Sequence, residues 1–204
     1  MIPVVFQPER KCSQGRAVRC DGRPGGGIRT EGVGYRGNTR RMPNNPESQN
    51  WAAFTAEAPE LSAAVQNRFA AFTHHTLATL RRDGSPRTSG IEVQFARGEL
   101  TMGMMPESMK ARDLIRDPRF ALQANQGGGT DMAGGDVRVA GRAVEVHGPE
   151  ELARYAAEVG PPPGPFHLFR TEVTEVVRTS VEDEKYLVVE FWSPGTGVQR
   201  RRRT

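Results

Sequence analysis

Between Thr76 and Met104 the chain holds three short runs of strand character joined by two tight turns, Asp83-Gly84-Ser85-Pro86 and Arg97-Gly98-Glu99. Turns this short connect only antiparallel neighbours, because a parallel pair needs a crossover of about a dozen residues or more. The three runs, Thr76–Arg81, Arg87–Phe95 and Leu100–Met104, therefore favour an antiparallel β-meander over a βαβ unit. In the second run Ile91, Val93 and Phe95 alternate with polar residues, the period of a half-buried strand.

The remaining pattern extends this sheet. Pro59–Phe72 predicts a helix, with Leu61, Val65, Phe69 and Phe72 near one stripe and Pro59 in the first turn. Ser108–Asp117 predicts a short helix with Ala111, Leu114, Ile115 and Pro118 at helical spacing, ended by the proline. Pro149–Val159 predicts a third helix. Further strands are expected at Arg119–Gln126, Asp136–His147, Thr171–Ser180 and Lys185–Trp192. Within Asp136–His147 the apolar phase moves from odd positions (Val137, Val139) to even ones (Val144, Val146) across Gly141, which predicts a bulge or barrel corner. Seven or so short strands with few helices read as a barrel.

Charge divides the chain unevenly. Residues 1–41 carry 9 Lys and Arg against 3 Asp and Glu, while the remainder carries 19 against 21. Residues 1–50 form a Gly/Arg-rich extension without periodicity, expected to be disordered. Met42 opens a different composition and is the expected native start. The folded domain is expected over 51–195, and 196–204, with Arg200–Arg203, reads as a basic, solvated tail. Because the positive charge sits at the two ends, net charge argues poorly for nucleic-acid binding. Both cysteines, Cys12 and Cys20, lie in the extension without zinc-ligand spacing, and no metal site is expected. With no membrane-length apolar run and no signal-peptide core, a cytoplasmic protein is expected.

Chemistry concentrates at Pro106-Glu107-Ser108-Met109-Lys110-Ala111-Arg112. Ser108 is placed to cap the following helix, whose first turn offers unpaired amides and a partial positive charge. Lys110 opposes that dipole, and a bound anion would remove the conflict. The same residues also fit a capped surface helix with a solvated lysine.

In context, LATLRRDGSPRTSGIEV from Leu77, then LTMGM, then ESMKARDLIRDPRFAL resembles the pyridoxamine 5′-phosphate oxidase-like, FMN-binding split-barrel family. The ordered elements are strand, D-G-x-P turn, strand, strand, S-x-K helix and D-P-R-x-A-L strand. The resemblance is clear over Leu77–Leu122 and weaker to the last strand. It implies a mainly β fold: a Greek-key split barrel of six to seven antiparallel strands with a few short helices, usually a homodimer with cofactor at the dimer interface. Its S-x-K motif implies that Ser108 and Lys110 hold a cofactor phosphate. Its second strand implies that Thr88, Ser89, Gly90 and Ile91 face the ring and ribityl chain, and its third implies the same of Gly103 and Met104. The implied cofactor is FMN, with the deazaflavin coenzyme F-420 or haem as alternatives in this broad group.

The departures narrow the activity. Where the true oxidases carry an Arg and a Lys on strand two, this chain aligns Ser89 and Gln94, and Met109 stands beside the motif lysine. The substrate-phosphate signature of those oxidases is not recognisable in WSPGTGVQRRRRT. The expected function is an FMN- or deazaflavin-dependent oxidoreductase acting on a small organic molecule other than pyridoxamine phosphate. The alternative is a non-catalytic binder of flavin, deazaflavin or haem. No residue stands out as catalytic acid or base.

Other signals carry less. Gly32-Val33-Gly34-Tyr35-Arg36-Gly37 spells G-x-G-x-x-G without a preceding strand, so it fails as a dinucleotide motif. His74 and His75 are adjacent and would face opposite sides of a strand, a poor metal pair. Glu182-Asp183-Glu184 reads as a solvated turn, and Trp192 as packing near a sheet edge.

Overall fold

The computed structural model describes residues 47–127, Met132 and 134–204. The Gly/Arg-rich extension up to residue 46, the Met42 start and most of the Gly127–Gly135 loop lie outside the described residues.

In chain order the elements are β1 Gln49–Asn50, α1 Trp51–Glu57, α2 Pro59–Ala70, β2 His75–Leu80, β3 Pro86–Ile91, β4 Val93–Ala96 and β5 Glu99–Met104. They continue with α3 Met109–Arg116, β6 Arg119–Gln123, β7 Asp136–Glu145, α4 Pro149–Val159, β8 His167–Glu182, β9 Tyr186–Ser193 and β10 Gly197–Arg203. Every strand pair is antiparallel.

Both predicted turns form. Gly84 (φ +83°) closes the first, with Asp83 Oδ1 accepting the Ser85 amide at 2.9 Å. Arg97 and Gly98, both at positive φ, close the second as the two-residue turn whose twist suits a hairpin. The expected strand Arg87–Phe95 is broken at Glu92, because the chain changes partner there: β3 pairs with β2 and β4 pairs with β5. That break splits the barrel. Taking β3 and β4 as one bent strand, the wall runs β2, β3/β4, β5, β8, β7, β6 and returns to β2, six positions in Greek-key order. The connection from β5 to β6 carries α3, which packs against β2.

The bulge predicted at Gly141 is present: the β7–β8 register shifts between Ala140 and Gly141. A Cβ at 141 would overlap the Glu172 carbonyl oxygen, so only glycine admits this approach.

Strand alternation separates two faces. Leu77, Ile91, Leu122, Val137, Val139 and Val176 point into a buried core. The outward face carries smaller or half-exposed residues across four strands, Thr88 and Gly90, Thr76 and Ala78, Ala121, then Ala140. Helix α1, which the sequence pattern did not suggest, closes the core with Trp51 and Phe54, whose rings meet each other and reach Phe95 and Trp192. Asn50 caps it, its Oδ1 accepting the Ala53 amide at 2.9 Å, and Gln49 and Asn50 pair with β8. The ordered domain thus reaches back past residue 51. Trp192 is fully buried, its Nε1 donating to Glu57 at 3.1 Å, and does not sit at an edge.

The other boundary also moves. The expected tail from 196 is largely β10, a seven-residue strand paired along β9. Alternation puts Arg200 and Arg202 on one face, where they pair with Glu182 and Asp183, and Arg202 stacks on Tyr186 at 3.6 Å. The acidic turn is therefore neutralised in part by the arginines, which a reading of either segment alone misses. Among the described residues no helix is long and apolar enough to cross a membrane.

Candidate functional site

Ser108 caps α3 as predicted: its Oγ accepts the Ala111 amide at 3.4 Å. The preceding Glu107 takes a left-handed conformation (φ +59°) and pairs with Arg112, turning the chain sharply from β5 into the helix. Lys110 leaves the first turn and reaches across to β3, where Nζ donates to the Gly90 carbonyl at 2.5 Å. Burial lowers the Lys110 pKa, and the nearby Glu92 carboxylate opposes that shift.

What holds α3 here is a buried carboxylate. Asp113 is 1 % exposed and accepts from Arg87 Nε at 2.7 Å, Thr79 Oγ1 at 2.9 Å and Arg116 at 3.1 Å. Burial raises its pKa, but these donors outweigh that effect and hold the carboxyl below its ordinary value. The helical pattern suggested Ile115 for the inward stripe; instead Asp113 is buried and Ile115 is 53 % exposed. No local signal announces a buried aspartate, since two of its three partners, Thr79 of β2 and Arg87 of β3, lie 34 and 26 residues away.

A cleft of about 630 Å³ opens beside the Lys110–Gly90 contact. Of the eight residues singled out from the sequence, it brings together Gly90, Ile91, Gly103, Met104, Ser108 and Lys110. Thr88 and Ser89 do not line it. Ser89 points inward by strand alternation, and its buried Oγ has no hydrogen-bond partner among the described residues. Thr88 shares the outward face of Gly90 but lies two residues further from the cleft. Above Gly90 nothing stands within 4 Å of a Cβ position, so a flat ligand could approach the backbone there.

The cleft has a second wall that sequence reasoning missed. It comes from the excursion between β7 and β8: Tyr155 and Val159 of α4, then Gly160-Pro161-Pro162-Pro163-Gly164-Pro165-Phe166. The excursion is closed at its base by Val146 N donating to Leu168 O at 2.8 Å and by the Glu145–His167 contact at 2.6 Å. The proline run was the available signal, a stiff segment next to a helix.

The histidines separate as strand alternation requires. His75 is buried, its Nδ1 accepts the Asn125 amide at 3.2 Å, and burial followed by His74 lowers its pKa. His74 is exposed at the cleft, 3.4 Å from Glu92. Among the described residues no cluster of His, Cys, Asp and Glu could hold a metal ion.

A family model described as pyridoxamine 5′-phosphate oxidase matches residues 61–180, more than half of the chain. Comparison with curated proteins gave no match. Among solved structures, the chain resembles a pyridoxamine 5′-phosphate oxidase-related, FMN-binding protein from Nostoc punctiforme PCC 73102 (14% identity, 72% of this chain and 95% of that one, TM-score 0.51). It also resembles PhzG from Burkholderia lata 383, solved with tetrahydrophenazine-1-carboxylic acid (17% identity, 78% and 94%, TM-score 0.50). A third similar structure is ChuZ from Campylobacter jejuni (13% identity, 69% and 62%, TM-score 0.52). At these identities the structures speak for the fold, and the family rests on the match over 61–180. With the split at Glu92, the Ser108-capped S-x-K helix and that match in agreement, the chain belongs to the pyridoxamine 5′-phosphate oxidase family.

Proposed function

We propose that the cleft holds FMN by its phosphate and that the protein is a flavin-dependent oxidoreductase for a small organic molecule. The observation that carries this reading is the convergence of Ser108, the Lys110 ammonium and the bare backbone of Gly90 at one end of a cleft large enough for a tricyclic ring. The phosphate would meet the free amides of α3, the Ser108 hydroxyl and Lys110, which would exchange the Gly90 carbonyl for a full negative charge. Gly90 would admit the ring, Tyr155 already standing over Gly103, and Met104 and Ile91 would back it. When bound, flavin supplies the redox chemistry; the protein positions it and excludes water with the proline wall. The FMN-binding protein from Nostoc punctiforme gives this reading a family precedent.

A homodimer belongs to the same proposal. The outward face of β3, β2, β6 and β7 has a central row of small side chains (Gly90, Thr76, Ala78, Ala121 and Ala140) flanked by Arg119, Gln123 and Arg138, and Met105 and Met109 stand 75 % and 50 % exposed beside the cradle. A second copy laid on that face would cover both.

The absorbance spectrum of the purified chain, before and after incubation with FMN, tests the cofactor. Flavin bands that survive desalting support the reading. A protein that stays colourless after FMN, F-420 and haem have each been offered ends it. Light scattering tests the dimer.

One observation favours a second reading, a non-catalytic binder of flavin, deazaflavin or haem. Among the described residues lining the cleft, Lys110 is the one permanent cation, so the strand-two charges of the true oxidases have no substitute there, whereas His74 is available to ligate a haem. A Soret band lost in H74A, with no flavin uptake, would select it.

A further inference from the structure

We infer that Glu92 sets the charge of the second ligand of this cleft, and that the class it admits is planar organic cations, ring compounds with a permanent positive charge. The inference rests on the reading of the cleft as cofactor and substrate site and adds the substrate class.

Glu92 stands at the break between β3 and β4, where the chain has left β2 and has not yet joined β5. Exposure alternates along this stretch, so Gly90, Glu92 and Gln94 share one face, and all three line the cleft. The row begins at the Lys110–Gly90 contact, so the carboxylate lies one step beyond the proposed phosphate cradle. Its field reaches both walls. Burial lowers the Lys110 pKa while Glu92 raises it, and burial, then Glu92, raises that of the Tyr155 phenol.

Nothing in the cleft neutralises this carboxylate permanently. Among the described residues it is the one carboxylate that lines the cleft, and its one ion-pair partner is His74, at 3.4 Å, which is charged only when protonated. Lys110 donates to the Gly90 carbonyl and would turn from it to a cofactor phosphate, not to Glu92. The groove that shares Tyr155 with this cleft holds three arginines and three glutamates, with Arg97 paired to Glu158 and Arg170 at 3.7 Å from both Glu99 and Glu151. None of those six side chains lines the cleft itself. Val159, the proline run and Phe166 carry no charge, and the face of the Phe166 ring attracts a cation. A flat cation thus meets apolar surface and an uncompensated carboxylate together. An anion meets a like charge that Lys110, once bound to phosphate, does not offset.

The probes are N-methylquinolinium, a planar cation, quinoline, its uncharged counterpart at neutral pH, and naphthoate, an anion of similar shape. Equilibrium dialysis of each against the full chain at low salt, with and without FMN, compares wild type with E92Q and E92K. Wild type should bind the cation tightest and the anion weakest. E92Q should lower N-methylquinolinium affinity about fivefold, the worth of one charge pair near solvent, leave quinoline unchanged and not weaken FMN uptake. E92K should reverse the order of cation and anion. Added salt should narrow the wild-type preference and leave E92Q flat. A wild type that binds quinoline as well as the cation, an E92Q variant that loses both equally, or no binding of N-methylquinolinium at any soluble concentration would overturn the inference. Failure of FMN uptake with the charge preference intact would instead remove the flavin reading alone.

Discussion

Arg87 Nε donates to Asp113 Oδ2 at 2.7 Å, a contact that ties β3 to α3 beneath the candidate site. Asp113 is buried and Arg87 only partly so, and Thr79 and Arg116 complete the acceptor's shell. Removing one partner leaves the other without compensation, which costs more than the pair contributes when intact. D113A should destabilise the fold by about 3 kcal/mol in urea unfolding. Because α3 carries Ser108 and Lys110, FMN uptake should fall as well. Wild-type stability in D113A would mean that α3 is held by something else.

Lys110 should discriminate the phosphate and not the ring. K110M should weaken FMN binding by about tenfold or more, the loss of one charge-assisted hydrogen bond, and leave riboflavin, which has no phosphate, nearly unaffected. Fluorescence titration of the two flavins checks this; equal weakening of both would move the phosphate elsewhere.

Two glycines should respond in opposite ways. At Gly141 the added methyl of G141A meets the Glu172 carbonyl oxygen, so the bulge must open and stability should drop by about 2 kcal/mol or more. At Gly90 the methyl meets nothing, and G90A should keep or slightly raise stability, by up to about 1 kcal/mol. In the same variant flavin uptake should fall, because the methyl projects where the ring would lie. Thermal melts and flavin titration on both proteins separate folding from binding.

Acid should weaken the fold through Asp117. Hydrogen bonds from the Arg119 guanidinium, at 2.6 and 2.9 Å, outweigh desolvation and lower the carboxyl from 3.8 to about 2. The folded value lies below the unfolded one, so this stabilisation is complete above about pH 4 and is lost as pH falls toward 2. Urea midpoints measured between pH 5 and 2 should fall less steeply for D117N than for wild type.

Local chemistry was sufficient for the turns at Gly84 and Gly98, the cap at Ser108, the helix Pro149–Val159 and the bulge at Gly141. Each depends on residues within a few positions: positive φ, a side-chain oxygen three residues from an amide, or a change of alternation phase. For the same reason the meander and the S-x-K helix could be read in order, and with them the family and six of the residues that line the cleft.

Position across the barrel was not readable. Ser89 and Gly90 are adjacent in sequence, yet the pleat sends one into the core and the other to the cleft, and the parity is set by pairing with β2. Asp113 reads as a polar residue on a short helix until Arg87 and Thr79 arrive from two strands, and Tyr155 becomes a cleft residue only because β5 has a glycine opposite it. The arginines of β10 look like a free tail until β9 pairs with them. Sequence by itself determined the elements that short-range sterics and hydrogen bonding control. Tertiary structure decided which faces meet, because contacts between residues tens of positions apart depend on register and strand order, and no local pattern encodes those.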